Sequence, residues 1–341
     1  MEKKGAGIVG TGLYLPKEIR TNEWFKKLNL LPVDNDILDN AGVLERRICA
    51  KGEKSSDMET KALLAAVEDA GISVEDIELL LDGSYLHDQP QPGNASLVQY
   101  KSGAKNAAAI NVETACTSLL SQMVIGWGLI KSGVYNTVAC IVSSNWTQAA
   151  DYTEKSCMFM GDGASAVIMQ PLSDGKGILS SYLETDGTDW GAIGHNIRLP
   201  RALLTNYKEA DYLKGAREKL YYYIDRSDQG VGRIRRLGPV KTPDVVKKAL
   251  NKAGYTEKDI DFLITTNGTI MLADLWMEAL RVPEKKRYIT VKKYGHMSAP
   301  GLGVNLHEAV KTGKIKTGDL VVLCCPGIGF NWAAVVMRWG K

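Results

Sequence analysis

An internal repeat limits most tightly how this chain can fold. Ala70-Gly71 recurs as Ala253-Gly254, and the same offset of 183 residues superposes Asp76-Ile77 on Asp259-Ile260 and the apolar run at Val138 on that at Val321. A shorter offset of 168 residues sets Gly161 on Gly329 and Ala166-Val-Ile-Met on Ala334-Val-Val-Met. One register held through a helix, a turn and two strands marks two copies of a single unit. In the first copy, residues 57–70 place Leu63, Leu64 and Val67 at helical spacing, Gly71 stops the helix, Ser73 can cap a short turn, and Ile77 to Leu81 reads as a strand. In the second, Thr242 to Ala253 is the helix, Gly254 its end, and Ile260 to Ile264 the strand.

The runs Thr137 to Val142 and Leu320 to Cys325 are continuously apolar rather than alternating, as in strands covered by helices on both faces. The pattern predicts a layered α/β protein with helices outside two mixed sheets. Its N-terminal half spans 1–180 and its C-terminal half 241–341. Between them, 181–240 is expected to lie over the site, because 185–240 is rich in Tyr, Lys and Arg and has no counterpart of similar length in the first copy.

Composition removes several classes of function. With 42 basic and 39 acidic residues the net charge is +3, which offers no general attraction for nucleic acid. The six cysteines (Cys49, Cys116, Cys140, Cys157, Cys324 and Cys325) lack CxxC spacing, so neither a zinc site nor a disulfide framework is expected, and no metal is assigned. The N-terminus lacks the apolar core of a signal peptide, and no run of about 18 apolar residues offers a membrane span, so a cytoplasmic location is expected. Gly7, Gly10 and Gly12 fail the spacing of a dinucleotide fingerprint, and Pro16 stands where its helix would open.

Within the first copy, the apolar run Ala107 to Val112 breaks into a small-residue turn carrying Cys116, and a helical pattern follows. A thiol at a helix start is expected to have its thiolate favoured by the unpaired N–H groups and the positive end of the dipole. His87, His195 and His307 read as ordinary structural or loop residues, His307 because it lies inside the helical pattern Gly303 to Val310. Phe159 to Val167 reads as packing.

Five motifs in order, Gly42-Val-Leu-Glu-Arg-Arg, Thr114-Ala-Cys-Thr-Ser, Phe159-Met-Gly-Asp-Gly-Ala-Ser-Ala-Val, Tyr294-Gly-His-Met-Ser-Ala-Pro-Gly and Gly327-Ile-Gly-Phe-Asn-Trp, resemble the ketoacyl-acyl-carrier-protein synthase III branch of the thiolase superfamily. The resemblance implies a thiolase-like five-layer αβαβα fold with internal duplication, and a homodimer or related heterodimer. It also implies a cysteine, here Cys116, that accepts an acyl group from coenzyme A or a carrier protein. No cofactor is implied, since the coenzyme A or phosphopantetheine thioester is itself the substrate. Arg46 and Arg47 become candidates for donor binding, as guanidinium groups suit phosphate. The tryptophan and arginine preceding this motif in typical members fall at Ile37 and Asn40.

The departures from the family pattern bear on the chemistry. Synthases of this branch carry a His in His-Gln-Ala-Asn where this chain has Thr266 in Thr265-Thr-Asn-Gly, and an Asn in Gly-Asn-Thr-Ser where this chain has His296. Decarboxylative condensation needs two preorganised donors for an enolate, and losing one such donor costs about 2.7–4 kcal/mol of transition-state stabilisation. Acyl transfer to an alcohol or amine needs a base instead, and imidazole suits it. Asn331 resembles in position the aspartate of atypical members that move malonyl-type groups onto natural-product glycosides. The expected constellation is therefore Cys116 as nucleophile, His296 as base and Asn331 holding the imidazole. Gly329, Thr266 and Asn267 are secondary or oxyanion residues, the oxyanion meeting the Cys116 N–H and an N–H of the Gly327 to Gly329 loop. The leading expectation is an acyltransferase delivering to a small-molecule nucleophile. Its rivals are a carbon–carbon condensing synthase and a non-catalytic subunit paired with an active homologue.

Overall fold

A computed structural model describes residues 5–28, 38, 41–150, 152, 155–197, 220–224 and 231–341. Its strands are β1 (Gly5–Tyr14), β2 (Glu18–Thr21), β3 (Glu45–Ile48), β4 (Leu79–Ser84), β5 (Ala108–Asn111), β6 (Val138–Ser144) and β7 (Gly163–Leu172) in the first half. Then come β8 (Gly177–Thr185), β9 (Ile193–Ile197), β10 (Leu220–Ile224), β11 (Phe262–Thr265), β12 (Arg287–Tyr288), β13 (Leu320–Gly327) and β14 (Asn331–Arg338). The helices are α1 (Asn22–Leu28), α2 (Ser55–Ala70), α3 (Ala95–Ser102), α4 (Ser118–Lys131), α5 (Val231–Lys252), α6 (Ile270–Ala279), α7 (Val291–Tyr294) and α8 (Pro300–Lys311).

The repeat is visible in the sheets. One has the order β1-β7-β6-β4-β5 and the other β8-β14-β13-β11-β12. In each, three strands at one end pair in parallel (β6-β4-β5 and β13-β11-β12), while the other two pairings, β1–β7 and β7–β6 in the first sheet and β8–β14 and β14–β13 in the second, are antiparallel. Matching residues make matching local structure: Gly71 (φ 68°) and Gly254 (φ 78°) both close a helix in the left-handed region, where glycine escapes the Cβ penalty. After each, an aspartate three residues beyond the turn's start takes the backbone N–H of that start, Asp76 from Ser73 and Asp259 from Thr256, both at 2.8 Å.

Three apolar cores separate five layers. The central one joins α4 (Leu119, Met123) and α8 (Leu302, Leu306) to the inner faces of both sheets, through Val138 and Val142 on one side and Leu323 and Val335 on the other. An outer core sets α2 on the first sheet, and another sets α5 on the second. This is the expected αβαβα arrangement. Two boundaries fall differently from expectation. The second sheet already begins with β8, before residue 181, and α5 starts at Val231 rather than Thr242. Pro239 and Pro243 lie inside α5, and their missing N–H groups make that stretch read as a break. Of 181–240, expected as a cover, Ile193, Leu237 and Gly238 line the pocket described below, whereas 198–219 and 225–230, like Ile37, Asn40 and the side chain of His195, lie outside the described residues. Among the described residues no helix is long and apolar enough to cross a membrane.

Candidate active site

Cys116 stands on the turn between β5 and α4. Ala115 adopts φ 52°, and the chain then closes on itself through Thr117 N–H to Thr114 O (3.2 Å) and Ser118 N–H to Ala115 O (3.0 Å). The corresponding turn of the second half, before α8, carries His296 and Ser298, the latter at φ 57°. The two turns face each other, with Cys116 Sγ 3.2 Å from Ser298 Oγ. The glycine loop after β13 packs against the Cys116 turn so closely that a Cβ on Gly327 would lie 3.2 Å from the Thr117 nitrogen.

Phe159 to Gly161 does more than pack. His296 N–H donates to Phe159 O (2.7 Å), Gly161 N–H donates to His296 O (3.0 Å), and Trp146 meets the imidazole edge-on with ring centroids 5.1 Å apart. A Cβ on Gly161 would sit 2.0 Å from Tyr294 O, so only glycine fits. His296 Nδ1 accepts the Ser298 N–H at 3.3 Å. Burial lowers the imidazole pKa to about 4, with the Asn267 backbone opposing the shift, so the ring is neutral at physiological pH.

Cys116, Thr266 and His296 open onto one pocket of about 720 Å³, a figure that includes the open solvent at its mouth. Its other walls are mostly apolar, with Leu272, Trp276, Ile328, Phe330 and Trp332 among them. Burial pushes the Cys116 thiol up, and this outweighs the bonds from Ser298 and the Ile328 N–H that pull it down. The expected advantage of a helix start is therefore overridden by desolvation.

Several assignments need correction. Asn331 does not hold the imidazole. Its Oδ1 accepts the Thr185 hydroxyl (2.7 Å) across the β14–β8 pair, and its Nδ2 donates to Ile328 O (3.0 Å). The N–H of the glycine loop that reaches Cys116 belongs to Ile328, and Gly329 is not part of the pocket wall. Thr266 donates its hydroxyl to Ser298 O (3.3 Å). Asn267 is buried away from the pocket, where its amide bonds Thr290 Oγ1 (2.8 Å) and Asn305 Nδ2 (2.7 Å). Arg46 is fully buried and donates to the carbonyls of Arg20 and Met158 and to Asn22 Oδ1, which leaves it no reach to a donor phosphate. Arg47 donates to Pro16 O (3.2 Å) and does not line the pocket either. Alternation along β3 announced the burial, since Arg46 shares a face with Ile48. Ser298 was missed altogether, and the signal was available: by the 183-residue offset it falls on Ala115, beside the nucleophile turn.

Two α/β copies enclosing a cysteine at the meeting of their turns define the class, a thiolase-like enzyme fold. Models of 3-oxoacyl-[acyl-carrier-protein] synthase III match residues 110–187 and, for the C-terminal part of that family, 250–339. A β-ketoacyl-[acyl-carrier-protein] synthase III of Geobacillus kaustophilus is 32% identical over 338 residues, covering 99% of this chain and 100% of the relative. Solved 3-oxoacyl-[acyl-carrier-protein] synthase III structures from Aquifex aeolicus (28% identity, TM-score 0.84, 98% of this chain and 100% of the other) and Thermus thermophilus (25%, 0.86, 98% and 99%) share the fold. The chain belongs to the 3-oxoacyl-[acyl-carrier-protein] synthase III family, whose members are condensing, acyl-transferring enzymes.

Proposed function

We propose that this protein is a Cys116-dependent acyltransferase, loaded from acyl-CoA or acyl-carrier protein and delivering the acyl group to a small-molecule nucleophile in specialised or fatty-acid-related metabolism. In the first half-reaction the Cys116 sulfur attacks the thioester, the acyl–sulfur bond of the donor breaks, and the free thiol of coenzyme A or phosphopantetheine leaves with a proton. In the second, the acceptor attacks the acyl-cysteine, its proton passes to His296, and Cys116 recovers it as a thiol. No resident cofactor or metal takes part in either step.

The observation that carries this reading is the polar content of the pocket. The imidazole of its described wall is neutral and keeps a basic nitrogen at Nδ1, which accepts the Ser298 N–H only at 3.3 Å and would exchange that bond for the acceptor's proton, while the Thr266 hydroxyl is already committed to Ser298 O. An enolate would find His296 without the second donor that condensation uses. A condensing reaction remains the second reading because the relatives are named as β-ketoacyl synthases. Incubation with a uniformly labelled malonyl thioester separates them: retention of the whole malonyl group in the product supports transfer, and release of labelled carbon dioxide overturns it. Failure of any thioester to acylate Cys116 would instead leave the partner-subunit role. A homodimer is also proposed. It is supported by β5, which forms an edge of its sheet with Ile110 exposed, and by the exposed ring of Tyr100 on the neighbouring α3.

A further inference from the structure

We propose that Ser298, on the second copy of the repeat, is the side chain that stabilises the Cys116 thiolate on the first. The inference rests on the reading of Cys116 as the acyl-accepting nucleophile and adds a residue that neither the family motifs nor the sequence pattern assigned.

Ser298 is fully buried and touches each of the three polar pocket residues. Its Oγ lies 3.2 Å from Cys116 Sγ, its N–H donates to His296 Nδ1 at 3.3 Å, and its carbonyl accepts from Thr266 Oγ1 at 3.3 Å. The last two bonds fix the peptide units on either side of its Cα. With them set, the backbone is held at φ 57°, a left-handed conformation that a non-glycine residue keeps only where its surroundings impose it. The pseudo-equivalent Ala115 has φ 52°, so duplication has placed two identically kinked turns nose to nose. One offers the sulfur and the other the hydroxyl.

With the sulfur protonated, either atom can donate in this contact. Once the sulfur is ionised only the hydroxyl can donate, and a hydrogen bond to an ionised acceptor is the stronger kind. The contact therefore favours the thiolate. Other titratable groups around the sulfur do not supply that help. Glu113 on its own segment opposes ionisation, Cys325 approaches the Cys116 carbonyl rather than its sulfur, and His296 is neutral. The described wall of the pocket holds no Lys or Arg. Against the desolvation of the thiol stand the Ser298 hydroxyl, the Ile328 N–H and the N–H of Cys116 itself, and Ser298 is the one side chain among them.

The test uses the full-length protein and its Ser298→Ala and Ser298→Gly variants. Iodoacetamide alkylation of Cys116 is followed by intact mass across pH, with Cys116→Ala as the control for the other cysteines. Both variants should shift the alkylation profile upward by about one pH unit, equivalent to roughly tenfold slower alkylation near neutrality. Their loading by an acyl thioester should slow in step. The glycine variant relieves the left-handed backbone whereas the alanine variant keeps it, so a backbone effect would separate the two. A profile that coincides with wild type in both variants, or shifts in only one, overturns the proposal. Failure of the wild-type protein to be acylated by any thioester removes the reading of Cys116, while the alkylation profiles still decide the role of Ser298.

Discussion

Burial of His296 gives the sharpest quantitative test of the site. An imidazole moved from its ordinary pKa of 6.5 to about 4 has lost roughly 3 kcal/mol of preference for its charged form, at 1.36 kcal/mol per pH unit. At pH 5.5 about 3% of such rings would be protonated, against about 90% of ordinary ones. The consequence for stability follows from proton counting. Between pH 6.5 and 4 the unfolded chain binds the proton and the folded chain does not, so stability rises with pH through this window and is lost on acidification. By linkage the loss attributable to this ring at pH 5, relative to pH 7.5, is about 2 kcal/mol. The chain has four histidines, so ring resonances of a histidine-labelled sample can be followed through a pH titration, with His296→Asn supplying the assignment. The His296 signal should keep its neutral shift down to about pH 5. Urea denaturation at the two pH values should show the wild type losing about 2 kcal/mol more than His296→Asn. A His296 resonance that titrates near 6.5, or equal losses in the two proteins, would refute the account of a desolvated neutral base.

Cys116→Ala should abolish the mass increase produced by acyl thioesters, checked by intact mass spectrometry. Arg46→Ala should lower stability by about 3 kcal/mol, since it strips one buried and two half-buried acceptors of their donor and empties a fully buried site, while the donor concentration for half-maximal loading stays at its wild-type value; thermal melts and loading kinetics check both. Asn331→Ala should cost about 1 kcal/mol by removing the Thr185 tie and leave the pH profile of transfer as in wild type, because the side chain does not touch the imidazole. Gly161→Ala would drive a methyl into Tyr294 O and push His296 off its backbone anchor, so transfer should fall far more than Cys116 alkylation, which the two assays measure separately.

What could be read from the chain and what could not divide along physical lines. The layered fold was readable because it depends on punctuation and on runs of apolar residues. Gly71 and Gly254 must be glycine to end their helices without strain, and this fixes the register of the repeat. Cys116 was readable because strand, small-residue turn and helix follow one another locally. The partners of a polar side chain are set by tertiary approach, and there the sequence order misled. Asn331 lies in the right loop but one face of the β14–β8 pair away from the imidazole, where Thr185 captures it. Arg46 and Arg47 are adjacent basic residues, which suggested phosphate, yet strand alternation sends the first into the core. Residue identity alone also favoured a low thiol pKa, because the helix start is local whereas the desolvation that overrides it comes from burial against a core drawn from both halves.

The same duplication that made the fold readable also explains why the substituted family positions act together. His296 and Ser298 belong to the turn that mirrors the cysteine turn, and Thr266 follows β11, the strand that mirrors β4. Ser298 binds the other two through its backbone, so the imidazole, the threonine and the hydroxyl facing Cys116 share one peptide segment. Below it, Asn305 fixes the threonine loop through Thr265 O (2.8 Å) and Asn267 Oδ1 (2.7 Å), with Thr290 donating to Asn305 in turn. Exchanging His296 for Asn without changing Thr266 would therefore alter one side chain on a scaffold still shaped for the other two. On the transfer reading proposed above, this exchange alone should not yield condensation, because the second enolate donor would still be missing. On that reading, condensation would require Thr266→His as well, and the Ser298 carbonyl would then lose the hydroxyl that holds its turn.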